Sequence, residues 1–384
     1  MVKQNRHFNC INEVKARPID TSEWAGCCST SECTLHQISP YIGKIKSIIA
    51  RRLIEYSTRP GDVILDPFAG SGTVPLESLI LGRHAIANDI NPYAITLTKA
   101  KMFPPSSMEE ALEKANRYLL SSKENSKDIN LDLVPEWVKG FFHPDTLRDI
   151  LAFRDTLKEN QEDFLLACLL GILHHQRPGF LSYPSSHLVP YLRTKKYPVE
   201  DFPELYAYRD VQTRINKKII RAYRRFPMIN SSLRRTCVQG NAKDLSIPDN
   251  TIDAVISSPP YMNTLDYARD NRLRLWLLGE PDYKVYDSIS PNNIRDFQVL
   301  MKDVLTKVEK LLKLHGTCVF VLGDIQKSNK SINTATAFLE IADKIDSFQV
   351  NGISQDQVPN LRRARRDGSR TKNEWFVVLE KVRE

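Results

Sequence analysis

The segment that decides the fold is VILDPFAGSGTVPLESLILGRHAIANDINPYA, residues 63–94. Val63 to Leu65 is a short apolar run that reads as a buried strand. Gly70 and Gly72 make a turn, and an apolar helical pattern follows from Val74 to Leu81 until Gly82 stops it. Ala85 to Asn88 reads as a second strand. Strand, turn, helix and strand in this order form a βαβ unit, and such a crossover requires parallel strands. Upstream, Ile42, Ile45, Ile48, Ile49, Leu53 and Ile54 recur near helical spacing, so an amphipathic helix is expected over Pro40 to Tyr56, closed by the turn RPGD.

The α/β rhythm resumes far downstream. RRTCVQGNAKDL and IDAVISSPPY read as strands, FQVLMKDVLTKVEKLLKL as a helix, and GTCVFVLGDI and EWFVVLEKV as further strands. Between the two halves lie helical patterns (SMEEALEKANRYLLSS, DFLLACLLGILHH, VQTRINKKIIRAYRRF) around a Pro- and Tyr-rich middle. Three regions are therefore expected. Residues 1–104 form an N-terminal arm and the first half of the catalytic domain, 105–235 a mainly helical insert, and 236–384 the second half.

The 384 residues are 41% apolar and 26% charged, and no apolar run approaches the roughly 18 residues of a membrane span. The polar start, MVKQNRH, leads into no apolar signal region, so a cytoplasmic protein is expected. The seven cysteines include no CxxC pair, so Cys27, Cys28 and Cys33 are read as reduced thiols and no metal is expected. His174, His175 and His187 lack a partner cluster at ligand spacing. The net charge of +8 is unevenly spread. Arg177 to Arg225 holds eleven Lys/Arg against four Asp/Glu, interleaved with tyrosines, and a second basic stretch, NLRRARRDGSRTK, lies near the end. That mixture suits phosphate contact with base stacking, or else a solvated helix face with tyrosines turned inward.

The glycine turn opens a helix, where free N–H groups attract anionic groups. A P-loop would need a lysine after Gly72 and finds Thr73; a dinucleotide fingerprint would need a third glycine and finds Pro75. A nucleoside-bearing cofactor with an amino-acid tail is the remaining reading. LDPFAGSGT resembles the cofactor loop of S-adenosylmethionine-dependent DNA amino-methyltransferases, the N4-cytosine/N6-adenine group. That resemblance implies an α/β, Rossmann-like class I methyltransferase with a mainly parallel central sheet and a helical insert. It implies cofactor contacts from Asp66, Phe68, Gly70, Gly72 and Thr73, ribose contacts from Asp89, which follows Asp66 by 23 residues, and an adenine contact from Asp244. The helix before the loop resembles the family's as well and offers Lys44 to the methionine carboxylate.

Ser258-Pro259-Pro260-Tyr261 ends an apolar strand and resembles the family's catalytic loop. An exocyclic nucleobase amine is a poor nucleophile, because its lone pair is delocalised into the ring. Acceptors at Ser258 Oγ and the Pro259 carbonyl would favour a tetrahedral nitrogen aimed at the methyl group, and proline holds its carbonyl without reorganisation. Tyr261 would stack on the base, which must leave the duplex to be reached. Serine in the first position is the form typical of N4-cytosine enzymes, aspartate of N6-adenine enzymes. The resemblance thus implies a site-specific N4-cytosine methyltransferase acting on double-stranded DNA within a restriction-modification system, with a cognate endonuclease sharing the site. N6-adenine and RNA amino-methylation remain alternatives within the class, and a non-catalytic nucleic-acid-binding protein with a decayed fold is the alternative outside it. The insert is the candidate target-recognition region, with Arg177, Tyr183, Arg193, Lys195 and Lys196 as candidate nucleic-acid contacts, joined by Arg269 and Arg272 (or Arg274) after the catalytic loop. Here the cofactor loop precedes the catalytic loop by about 185 residues, whereas many N4-cytosine enzymes have the reverse order.

Overall fold

The computed structural model describes residues 24, 32–174, 179–183, 197–261, 267–287, 291–327, 330–357 and 373–384. β1 (Val63–Asp66) is buried at every position and pairs in parallel with both β2 (His84–Asp89) and β4 (Ile252–Ser257). β2 pairs in parallel with β3 (Arg235–Gln239), and β4 with β5 (Leu312–Gly323). After a short hairpin of β6 (Ile325–Lys327) and β7 (Lys330–Ile332), β8 (Phe348–Gln357) and β9 (Asn373–Lys381) complete the sheet. Its order is β3-β2-β1-β4-β5-β9-β8, with β9 antiparallel to both neighbours. The order reverses between β1 and β4, so their carboxyl ends diverge into the crevice where open α/β sheets bind ligands. Seven strands in this order with only β9 reversed are the class I methyltransferase sheet implied by the resemblance.

α1 (Ser47–Ser57) covers one face. It begins seven residues later than Pro40, because Pro40 and Gly43, the latter at φ +79°, turn the chain before the helix can start. Ile49, Leu53 and Ile54 of α1 pack with Ile64, Ile256, Val319 and Phe376 of the sheet, and Trp24 seals the edge of that layer. Trp24 is fully buried and its indole N–H donates to Asp356 Oδ2 at 2.9 Å. α2 (Thr73–Ile80) and α3 (Pro92–Met102) follow β1 and β2. The opposite face is covered by helices from the second half of the chain, described below.

The expected insert supplies α4 (Met108–Ser126), α5 (Glu136–Lys139), α6 (Pro144–Glu159), α7 (Asp163–Ile172) and α8 (Val211–Ala222). It falls between β2 and β3, but it shares its core with the catalytic half. Leu165, Leu169 and Ile215 belong to one apolar cluster with Leu35, Leu76, Tyr93 and Leu97. After β4 come α9 (Tyr267–Asp270), α10 (Arg272–Leu278) and α11 (Lys284–Asp287), and Leu275 and Leu277 join that same cluster. α12 (Ile294–Leu311) and α13 (Thr334–Ala342) pack Phe297, Val304, Leu305 and Phe338 on the second face, against Leu65, Val255, Phe320 and Val377. No helix among the described residues is long and apolar enough to cross a membrane.

Candidate active site

β1 ends at Asp66, and the chain turns through Pro67–Ser71 into α2. Gly70 and Gly72 stand at φ +51° and +72°, a region that favours glycine. At Gly72 there is a second constraint, since a Cβ there would lie 2.8 Å from Thr98 Cα. α3 clamps the loop from behind. Thr98 Oγ1 donates to the Gly70 carbonyl at 3.2 Å, and Lys101 Nζ donates to the Ser71 carbonyl. Lys101 is buried, and desolvation, helped by repulsion from Lys44, brings its ammonium down to about 7.

The carboxylates of Asp66 and Asp89 face the loop from two strands. Asp66 is buried; Ser257 Oγ donates to its Oδ1 at 2.6 Å and the Phe68 N–H at 3.2 Å. Burial, with the negative charge of Asp89 adding to it, pushes Asp66 up to about 7 against those two hydrogen bonds. Asp89 ends β2, where the Gly70 N–H reaches its Oδ2 at 2.8 Å and the Asn91 N–H its Oδ1 at 2.9 Å. Burial pushes this carboxyl up to about 6. Asp66 Oδ2 accepts neither of its two bonds, which both fall on Oδ1, and is left for a further donor.

These groups line a cleft at the carboxyl ends of β1, β2 and β4. Lys44, Asp66, Phe68, Gly70, Thr73 and Asp89 all border it, together with Ser258 and Pro260 from the catalytic loop. Lys44 Nζ donates to the His36 carbonyl at 2.9 Å, and burial lowers its ammonium. Gly72 acts one step back, shaping the turn. Asp244 is placed elsewhere. β3 ends at Gln239, five residues before it, so Asp244 is exposed beyond the cleft, and Gly240 and Asn241 form the wall in its stead. Tyr41, Asn88 and Asn241 are cleft residues that the sequence reading passed over. Asn88 donates to the carbonyls of Pro67 and Gly240, both at 3.0 Å, while its buried Oδ1 has no partner among the described residues.

The strand β4 hands over to the catalytic loop at Ser257. Pro259 is buried; Ser258, Pro260 and Tyr261 are half-buried. Ser258 Oγ lies 3.4 Å from the Val321 carbonyl and 3.5 Å from the Tyr261 hydroxyl, which itself lies 3.4 Å from Glu374 Oε1 on β9. Tyr261 and Glu374 border a second, smaller cavity with Val321 and Lys46. Gly43, Lys44 and Ile45 line both cavities and form their common border. Ser258 in the first and Tyr261 in the second span that border.

A family model described as DNA methylase, for the N6/N4 methyltransferases, matches residues 46–100, the stretch holding the glycine loop, Asp66 and Asp89. Over this stretch the chain is similar to the DNA amino-methyltransferase family. It is 28% identical over 280 residues to the Type II methyltransferase M.BsoBI of Geobacillus stearothermophilus, covering 66% of this chain and 54% of that protein. With the Type II methyltransferase M.MvaI of Kocuria varians it shares 24% over 332 residues, 77% of this chain and 70% of the relative. The chain thus spans about half the length of M.BsoBI. Among solved structures, TrmN from Thermus thermophilus overlays 88% of this chain and 50% of its own at 11% identity with a TM-score of 0.36, so the fold assignment rests on strand order.

The cofactor of this family is S-adenosylmethionine, and the residues present fit it. Asp66 and Asp89 are carboxyls raised by burial, a state that gains from a cationic or hydroxyl partner. Asn88 Oδ1 adds an unpaired acceptor beside them.

The candidate nucleic-acid contacts divide. Arg177, Arg193, Lys195 and Lys196 lie outside the described residues, as do Cys27, Cys28, His175 and His187. Tyr183 packs its ring 4.9 Å from that of Tyr206, and Arg269 is exposed on α9. Arg272 departs from the expectation. Its guanidinium sits 3.9 Å from the centre of the Trp137 ring and 5.5 Å from Tyr283, so it joins α10 to the helical region through ring faces. Arg274 is buried and donates to the Leu170 carbonyl at 3.1 Å. Cys33, Cys168, Cys237 and Cys318 are free thiols, and the described residues contain no cluster of metal-ligating side chains.

Proposed function

We propose that this chain is a site-specific DNA methyltransferase that transfers a methyl group from S-adenosylmethionine to the exocyclic N4 amine of cytosine in duplex DNA. The observation that carries the reading is Ser258, which borders the cofactor cleft beside Tyr261 of the adjoining cavity. S-adenosylmethionine supplies an electrophilic methyl group on a sulfonium. Asp89 would accept the ribose hydroxyls, Asp66 and the glycine loop would hold the amino-acid end with Lys44 at its carboxylate, and Asn241 would take the adenine edge. Ser258 Oγ and the Pro259 carbonyl would accept the two amine N–H groups, which sharpens the nitrogen lone pair. Tyr261 would stack on the flipped-out base. Holding nitrogen and methyl in line is then the main source of rate.

M.BsoBI and M.MvaI are named Type II methyltransferases, which supports a protective role beside an endonuclease of the same site. The test is incubation with methyl-labelled cofactor and either unmethylated DNA or tRNA, followed by nucleoside analysis. N4-methylcytosine in DNA is the expected product. N6-methyladenine would overturn the choice of base, label confined to tRNA the choice of acceptor, and no label at all the enzymatic reading.

A further inference from the structure

Methylating an amine creates a proton that must leave. The nitrogen lone pair forms the new N–C bond, the S–C bond breaks with its electron pair kept by sulfur, and the nitrogen carries the positive charge until it loses a proton. Ser258 is a poor final acceptor for that proton, since a serine hydroxyl can take one only while passing its own onward. The arrangement around it has such an outlet. The Ser258 hydroxyl donates toward Tyr261 Oη at 3.5 Å, and the Tyr261 hydroxyl donates toward Glu374 Oε1 at 3.4 Å. Both are long, as catalytic hydrogen bonds commonly are before substrate is seated.

Resting on the amine-transfer reading above, we propose that Glu374 is the terminal acceptor of the amine proton, reached through the hydroxyls of Ser258 and Tyr261. The proton passes from nitrogen to Ser258 Oγ, that of Ser258 to Tyr261 Oη, and that of Tyr261 to Glu374 Oε1. One carboxylate becomes one carboxylic acid, both hydroxyls are restored, and Glu374 then loses the proton to water through the second cavity. The alternative acceptor for Ser258, the Val321 carbonyl at 3.4 Å, cannot pass a proton on. Lys44 and Lys46 line the same cavity as Glu374. Asp356, its register partner on β8, is turned to the Trp24 indole. Tyr261 keeps its stacking role in this scheme, because the ring face meets the base while the hydroxyl at its edge carries the proton.

The experiment is steady-state methyl transfer from labelled S-adenosylmethionine to unmethylated phage DNA, with Glu374→Gln, Glu374→Ala and Tyr261→Phe beside the wild type. Glu374→Gln and Tyr261→Phe should each lower kcat on the order of 100-fold, with KM for DNA and cofactor affinity by calorimetry unchanged. Added acetate or formate should restore part of the rate of Glu374→Ala, which chloride at equal ionic strength should not. A fully active wild type with Glu374→Gln and Tyr261→Phe at its kcat overturns the relay and leaves the amine-transfer reading standing. Loss in Glu374→Ala that small carboxylates do not relieve, with Glu374→Gln active, also overturns it. No label from the wild type overturns the amine-transfer reading, and the relay with it.

Discussion

Ser257 donates its hydroxyl to Asp66 Oδ1 at 2.6 Å, joining the end of the catalytic strand to the end of the cofactor strand. The same Ser257 Oγ lies 3.3 Å from the Phe68 N–H. Replacing Ser257 by alanine leaves a buried carboxyl oxygen short of a donor, a cost of about 1–3 kcal/mol. Urea denaturation should show this loss, and cofactor affinity should fall with it, because Asp66 borders the cleft.

Gly72 and Gly61 offer a matched pair. Both have positive φ, +72° and +92°, but a Cβ at Gly61 meets open space whereas at Gly72 it meets the backbone of α3. Gly61→Ala should cost about 1 kcal/mol of stability from backbone strain, with cofactor affinity unchanged. Gly72→Ala should additionally push the loop off Thr98 and weaken cofactor binding at least tenfold. Calorimetric titration of the two variants separates strain from steric displacement.

Asp89 titrates near 6 because it is buried, and ribose hydroxyls would donate to its ionised form. Cofactor affinity should therefore rise as pH rises from about 5 to 7. Asp89→Asn should bind more weakly at pH 7 and lose most of this pH dependence. Isothermal titration at several pH values checks both points.

Stability of the ligand-free protein should pass through a minimum near neutral pH as far as Asp66 and Lys101 determine it. Asp66 has a folded pKa of about 7 against an ordinary 3.8, so between those values the folded state binds more protons than the unfolded one. Its contribution is full below 3.8 and is lost as pH rises through 7. Lys101 has the opposite sign. With a folded value of about 7 against 10.5, its contribution is full above 10.5 and is lost as pH falls through 7. Asp66→Asn should flatten the acid limb of the stability curve and leave the alkaline limb in place.

Arg272 lies over Trp137, so Arg272→Ala should act on stability, by about 1–2 kcal/mol, rather than on DNA affinity. Denaturation and filter binding at several salt concentrations would separate the two. A phosphate-contacting arginine would lower the salt slope by about one unit, and Arg272→Ala should leave that slope unchanged.

The first half of the sheet was legible because its signals are local. Glycines at positive φ, apolar four-residue strands and Asp89 at the close of β2 all lie within about 30 residues, and only a few backbone paths satisfy them. β8 escaped notice because the alternation begun at Phe348 and Val350 breaks at Gly352, where the register shifts, and runs into the polar SQDQ; its place is fixed by pairing with β9, a long-range property. Asp244 was misplaced for a related reason. β3 is an edge strand with mostly exposed side chains, so its end could not be found from apolar content, and the wall fell to Gly240 and Asn241. Asn88 and Glu374 gave no signal in the sequence, since one is a polar residue inside a strand and the other follows the catalytic loop by more than a hundred residues.

Arg272 and Arg274, after the catalytic loop, are held by other parts of this chain, whereas Arg269 is exposed. Arg272 was a candidate because it follows the catalytic loop, and its guanidinium stacks on the aromatic rings of this chain itself. Composition reports which side chains are available to stack, while tertiary packing decides what they stack on.

The helical region between β2 and β3 cannot be treated as a detachable cassette. Gly171 of α7 passes so close to the Ile38 carbonyl that any side chain there would collide with it, and Lys218 of α8 donates to the Gln37 carbonyl at 2.8 Å. α7 in turn packs on α3, the helix whose Thr98 and Lys101 brace the glycine turn. Exchanging residues 105–235 with the corresponding region of a relative, in the hope of moving sequence preference alone, would therefore disturb cofactor binding as well. A workable graft has to carry α3 and the 33–41 segment along with the helices, so that inheritance of a new target and retention of the methyl donor become one engineering problem.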